Sequence, residues 1–177
     1  MMVRPLGIAI IVLGSSGAVR ARAEEPKGAA TPLVGVELRV GGGLSAGGGS
    51  GASALRYSPI DVGALVEVAL MDMPRVAAWG AIYYEGLGRS AFGLAGGARL
   101  YPMKRGPVRL SLGVTGTVAP YTIGGALVAG GACLTVGGRF RFCADLEGTV
   151  FVLGNDLPAD RVVGQLQLVL AVGWNAL

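Results

Sequence analysis

Apolar side chains recur at every second position along most of the chain. In the last stretch, Val162 to Leu177, the even positions Val162, Leu166, Leu168, Leu170, Val172 and Trp174 are apolar, while the odd positions include Gln165, Gln167, Ala171, Gly173 and Asn175. A period of two sends successive side chains to opposite faces of a strand. The same pattern predicts strands over Leu33–Leu44, Ile60–Met71, Arg75–Leu87, Ala91–Tyr101, Val108–Val118, Ala126–Val136 and Arg139–Leu153. In Arg75–Leu87 both faces are bulky, because Trp79 and Tyr83 share a parity opposed to that of Ile82 and Tyr84.

Between the strands lie turn formers. Asp72-Met73-Pro74, Pro102 to Gly106, Pro120 to Gly125, Gly137-Gly138 and Gly154 to Asp160 read as connections, and the Gly/Ser/Ala-rich Gly47 to Pro59 reads as a long flexible loop. Eight strands joined this way imply an antiparallel up-and-down sheet that removes its edges by closing. Periodicity does not say which face is inside. With the aliphatic face inward the chain would be a soluble, exported, lipocalin-like barrel that binds a hydrophobic small molecule.

Composition bears on that choice. The first residues carry a secretory-signal pattern, with Arg4, an apolar run over Ile8 to Leu13 and a small-residue cleavage site at Ala21-Arg22-Ala23. This divides the chain into a signal peptide over 1–23, a short polar lead-in over 24–32 and a barrel over 33–177. Removing the signal takes three of the fifteen basic residues and none of the eleven acidic ones, so the remainder is nearly neutral. No nucleic-acid partner follows from so small a net charge. Only Lys27 and Lys104 are lysines, whereas a water-facing surface would carry about 25–35% charged residues. The face opposite the aliphatic one is dominated by Gly, Ala, Ser and Thr, which fit the narrow interior of eight strands. The aliphatic face is therefore expected outward, in lipid.

The fold expected is all-β, an eight-stranded antiparallel up-and-down transmembrane barrel. With both ends in the periplasm, the Gly-rich loop and Gly154 to Asp160 become longer outer connections, against short turns on the periplasmic side. Phe140 and Trp174 would then belong to a periplasmic aromatic girdle, and Phe92 would mark the outer rim. In architecture the chain resembles the OmpA-type and OmpX-type small outer-membrane barrels. The resemblance implies residence in the bacterial outer membrane, lipid and the outer-membrane insertion machinery as partners, and a monomer. Such barrels commonly end in an aromatic residue read during insertion, whereas this sequence closes Trp174-Asn175-Ala176-Leu177. Either Trp174 with Leu177 serves that purpose or the assembly route differs.

The inward face would hold Glu37, Arg39, Asp61, Glu67, Arg99, Arg109, Arg141, Asp145 and Glu147, together with Gln165 and Gln167. Charges in a narrow lumen must pair, since an unpaired buried charge is costly. A salt-bridge network that plugs the barrel is expected, rather than a large pore or a small-ligand site. Cys133 and Cys143 share one face of adjacent strands, and a three-residue turn over Gly137 to Arg139 would set them directly opposite. Export to an oxidising compartment favours a cross-strand disulfide between them.

Little here suggests catalysis. Gly43-Leu44-Ser45-Ala46-Gly47 matches the G-x-S-x-G pattern of hydrolase nucleophiles, but the sequence has no histidine, so no Ser-His-Asp triad can form. Metal-ligand clusters, phosphate loops and nucleic-acid motifs are not apparent, and no cofactor is expected.

Overall fold

The computed structural model describes residues 34–48, 55–72, 75–86, 90–103, 106–157 and 162–176. The expected signal peptide and lead-in lie outside these residues. The strands are β1 (Val34–Gly48), β2 (Leu55–Tyr57), β3 (Ile60–Asp72), β4 (Arg75–Gly86), β5 (Ala91–Tyr101), β6 (Val108–Ala119), β7 (Ile123–Val136), β8 (Phe140–Leu153) and β9 (Val162–Ala176). β1 pairs antiparallel with both β2 and β3, each later strand pairs antiparallel with the next, and β1 pairs with β9 from Val34 opposite Ala176 to Gly48 opposite Val162. That last ladder closes the barrel and leaves its wall strands no free edge along the body of the sheet.

β2 and β3 form one wall strand interrupted at Ser58-Pro59. Above the break Leu44 pairs with Tyr57; below it Gly41 pairs with Asp61, so the register slips by one residue, as at a bulge. Pro59 has no amide hydrogen to give to a ladder, and the Ser58 amide donates to Gly43 O at 3.0 Å. Part of the segment expected as a flexible loop is thus strand. β1 runs on to Gly48 because β9 supplies it with ladder partners to the end, which overrides the poor strand preference of glycine. β7 likewise begins at Ile123, shortening the preceding connection to residues 120–122. The connection over 102–107 is longer than that one, so the length difference between the two ends is weaker than expected.

The two faces of the wall differ in chemistry. Leu38, Leu70, Leu112, Val128, Leu146, Leu168 and their neighbours are exposed on the outside, while the inside holds buried charged and small residues. This is the reverse of a soluble barrel, and the lipocalin-like alternative, which needs the aliphatic face inward, is not the arrangement adopted. A continuous apolar outer face is what a strand requires in a bilayer, where closure satisfies every ladder donor and acceptor. The ambiguity at β4 is also resolved: Trp79 is buried in the lumen, whereas Ile82 and Tyr84 are exposed. Trp79 enters because Gly113 faces it; a Cβ at Gly113 would lie 2.9 Å from Trp79 Cζ2.

Aromatic pairs sit at both ends of the wall. Phe140 and Trp174 are ladder partners near the chain termini, and their rings stack with centroids 6.2 Å apart. Tyr84 and Phe92 pair at the opposite end, 5.0 Å apart and tilted by 56°. Both sets face outward.

Candidate functional site: the luminal charge network

Because inward positions recur on every strand, charged residues far apart in sequence meet along the barrel axis. Glu37 on β1 is 1% exposed and accepts from three guanidinium groups: Arg99 Nη1 at 3.2 Å, Arg109 Nη1 at 2.6 Å and Arg141 Nη2 at 2.9 Å. Glu67 on β3 accepts from Arg99 Nη1 at 2.8 Å, Arg75 Nη2 at 3.1 Å and the Tyr101 hydroxyl at 2.7 Å. Arg109 also holds Asp145 with two donors, its Nε at 2.9 Å and its Nη2. Such fork-to-carboxylate pairing fixes direction as well as charge. Arg99 Nε donates to Ser111 Oγ at 3.0 Å, and Arg141 Nη1 to the Tyr101 hydroxyl oxygen at 3.1 Å.

The guanidinium planes are held from the side as well. Arg75 lies over the Tyr101 ring at 4.8 Å, and Arg99 lies over Trp79 at 5.9 Å. The whole cluster occupies the end of the lumen near the chain termini.

A second polar cluster lies towards the other end. Arg39 Nη2 donates to Glu147 Oε2. Gln167 Nε2 reaches Ser58 Oγ at 3.3 Å, Pro59 O at 3.3 Å and Asp61 Oδ1 at 3.2 Å, which ties β9 to the break between β2 and β3. Tyr83 and Thr115 share a hydrogen bond of 3.0 Å. Between the two clusters Leu65, Trp79, Ala81, Leu127 and Ala129 form a small apolar layer. On β3 this order is visible along a single strand, with Leu65 between Glu67 and Asp61.

The cavity bounded by Arg39, Asp61, Tyr83, Glu147, Gln165 and Gln167 has a volume of about 20 Å³, which is room for about one water. Among the described residues Arg39 Nε, Arg75 Nε and Arg141 Nε have no hydrogen-bond partner. Among the described residues no group of three or more His, Cys, Asp or Glu is placed to hold a metal ion.

All nine charged positions singled out from the sequence lie on the inner wall: Glu37, Glu67, Arg99, Arg109, Arg141 and Asp145 in the cluster near the termini, and Arg39, Asp61 and Glu147 in the other. Glu85, Tyr83, Tyr101, Ser58 and Ser111 also belong to the lumen and were not singled out. Parity could have found most of them, since Glu85 and Tyr83 share it with Trp79, and Tyr101 shares it with Arg99. Cys133 and Cys143 are direct ladder partners across the Gly137 to Arg139 turn and are joined by a disulfide, with Cα atoms 4.1 Å apart. Gly137 and Gly138 take φ of 61° and 73°, which L side chains rarely adopt. Phe92, Phe140 and Trp174 are 62%, 50% and 56% exposed on the outer face. The serine of the G-x-S-x-G match lies within β1, opposite Gln165 and Arg56 in the ladders.

A closed wall, apolar outside and charged inside, is the pattern of a barrel set in lipid. In architecture the chain resembles small outer-membrane barrels. Solved structures with this likeness include Neisserial surface protein A, at TM-score 0.49 and 16% identity over 78% of this chain and 96% of that one. They also include Ail, the attachment invasion locus protein of Yersinia pestis, solved in complex with the heparin analogue sucrose octasulfate, at TM-score 0.44 and 12% identity over 80% of this chain and 97% of that one. No protein-family model and no curated protein matches the sequence.

Proposed function

We propose that the chain is a small integral outer-membrane protein with a structural or surface-interaction role, sealed along its axis and without catalysis. The observation that supports this best is the lumen. Two layers of ion pairs and hydrogen bonds cross it with an apolar layer between them, and the cavity beside Arg39 and Glu147 has a volume of only about 20 Å³. An eight-stranded interior is normally just filled by side chains. In this reading the luminal charges Glu37, Arg39, Asp61, Glu67, Arg99, Arg109, Arg141, Asp145 and Glu147 cross-brace the wall, and Cys133–Cys143 staples one hairpin.

On the same reading, residues 1–23 direct export, the insertion machinery assembles the barrel as a monomer, and the termini lie in the periplasm. Phe140 and Trp174 then meet the inner interface and Phe92 the outer one, where aromatic rings are favoured. Catalysis has little support: Asp145 is engaged by Arg109, Glu147 by Arg39, and the sequence has no histidine. Planar-bilayer recording of purified protein tests the sealed lumen. The expected result is no stable, large single-channel conductance; such a conductance would contradict it.

A further inference from the structure

The luminal network does not balance at the end near the chain termini. Four guanidinium groups, those of Arg75, Arg99, Arg109 and Arg141, meet three carboxylates there, those of Glu37, Glu67 and Asp145. Among the described residues of this cluster one positive charge is in excess. A buried charge that lacks its counter-charge is costly.

Hydrogen bonding shows which groups carry the excess. Arg109 is matched twice, by both oxygens of Asp145 and by Glu37. Arg99 reaches Glu37 and Glu67, and its Nε is taken by Ser111. Arg75 and Arg141 share what remains. Arg75 has Glu67 Oε1 at 3.1 Å, while Arg141 has Glu37 Oε1 at 2.9 Å and lies 3.9 Å from Glu67 Oε1. These two are also the arginines of the cluster whose buried Nε has no hydrogen-bond partner among the described residues. Arg141 is only 5% exposed, so bulk water does not serve its spare donor. Charge and hydrogen bonding thus single out the same pair.

The pair lies side by side at the mouth of the lumen. Arg75 is the ladder partner of Tyr101, and both guanidinium groups lie over the Tyr101 ring, Arg75 at 4.8 Å and Arg141 at 5.9 Å. Arg75 begins β4, Tyr101 ends β5 and Arg141 is the second residue of β8. The Arg75 side chain is 18% exposed, so it is the side that can turn to admit a ligand. Arg139, exposed in the turn at this end, adds to a field that draws anions in.

One excess charge beside two planar N–H edges calls for a planar anion of single charge with two acceptor oxygens. A carboxylate has that form and pairs with guanidinium edges fork to fork. A phosphate monoester brings a charge of about −1.5 to −2, more than the excess it would meet.

We propose that Arg75 and Arg141, on either side of Tyr101, bind one carboxylate group of a ligand entering from the terminal end of the lumen, either a small organic acid or the free C-terminus of a peptide. The site needs the closed barrel, and the compartment that supplies the ligand follows from the membrane reading above. Its test is calorimetric titration of the purified, detergent-solubilised protein with N-acetyl-trialanine, with the C-terminal amide of that peptide, and with acetate. The free-acid peptide is expected to saturate a single site, and the amide not to bind. Acetate binding as tightly as the peptide points to a small acid, and tighter binding of the peptide points to a peptide end. Arg75→Gln removes the excess charge and one spare donor while Glu67 keeps Arg99 and Tyr101; it is expected to weaken binding by about tenfold or more. If that variant does not fold, Arg75→Lys, which keeps the charge without the Nε–H, should weaken binding in the same direction. Arg56→Gln, an exposed position opposite Ser45 towards the other end, is expected to bind as wild type does. A wild type that takes up neither acid, an amide that binds equally, or Arg75 variants that bind as wild type does would overturn the site. Gels of boiled and unboiled samples run in parallel separate the two failures: a wild type that shows the heat shift but takes up no carboxylate removes only the site, whereas a wild type without the shift removes the membrane reading and the site with it.

Discussion

Glu37 and Arg109 stand 72 residues apart in sequence, yet they meet at 2.6 Å with each 1% exposed. β1 and β6 lie on opposite walls of the closed sheet, so the contact spans the lumen. Because Glu37 also takes Arg99 and Arg141, its carboxylate is the point at which four wall strands are joined by charge.

Glu37→Gln should therefore be among the most destabilising luminal changes. It removes a carboxylate shared by three buried guanidinium groups, of which Arg99 keeps Glu67 and Arg109 keeps Asp145, and breaking a buried pair from one side costs about 3–5 kcal/mol. Denaturant unfolding in lipid vesicles should show a lowered midpoint of that order. An unchanged midpoint would mean that the cross-brace contributes little.

The outer face should respond to charge in the opposite sense. Leu168 is 56% exposed near the middle of β9, and Leu168→Arg should destabilise the folded barrel by about 2–4 kcal/mol in a bilayer. The same substitution on a water-facing strand would be close to neutral. Comparison of unfolding midpoints in vesicles checks this.

The disulfide closes a loop of 10 residues of sequence separation. Its removal by Cys133→Ser with Cys143→Ser should cost about 2–4 kcal/mol through the unfolded chain it no longer constrains. The barrel should still form, because Cys133 and Cys143 are flanked by continuous ladder pairs. Mass spectrometry without reductant should find neither thiol alkylatable in the wild type.

Deleting Trp174 to Leu177 should abolish assembly. β9 carries the ladder that closes the sheet, and Trp174 pairs with both Val36 and Phe140. Membrane insertion of the truncated chain at wild-type level, read by fractionation, would count against that requirement.

Alternation carried most of the architecture, because an outward and an inward set recur on every strand and low charge selects which set meets lipid. It was silent where both sets are bulky. Trp79 and Tyr83 have room inside because glycines face them, Gly113 on β6 and Gly93 on β5, and such complementarity is not visible within β4. The bulge at Ser58-Pro59 escaped for a similar reason, since the surrounding Gly/Ser composition resembles a loop until β1 and Gln167 supply partners. The disulfide was legible from its turn, which sets Cys133 opposite Cys143, together with the expected export to an oxidising compartment. Cross-lumen partners such as Glu37 and Arg109 were legible as a set, but their pairing depends on how the closed wall is staggered.

In the proposed function the chain is a closed barrel whose apolar face meets lipid. Electrophoresis of detergent-solubilised protein, boiled and unboiled, tests it most directly, because a closed barrel held by ladders such as β1 with β9 resists detergent until heated. A clear mobility shift between the two samples and dependence on detergent or lipid for solubility are expected. Identical mobility, with protein freely soluble in detergent-free buffer, would contradict it.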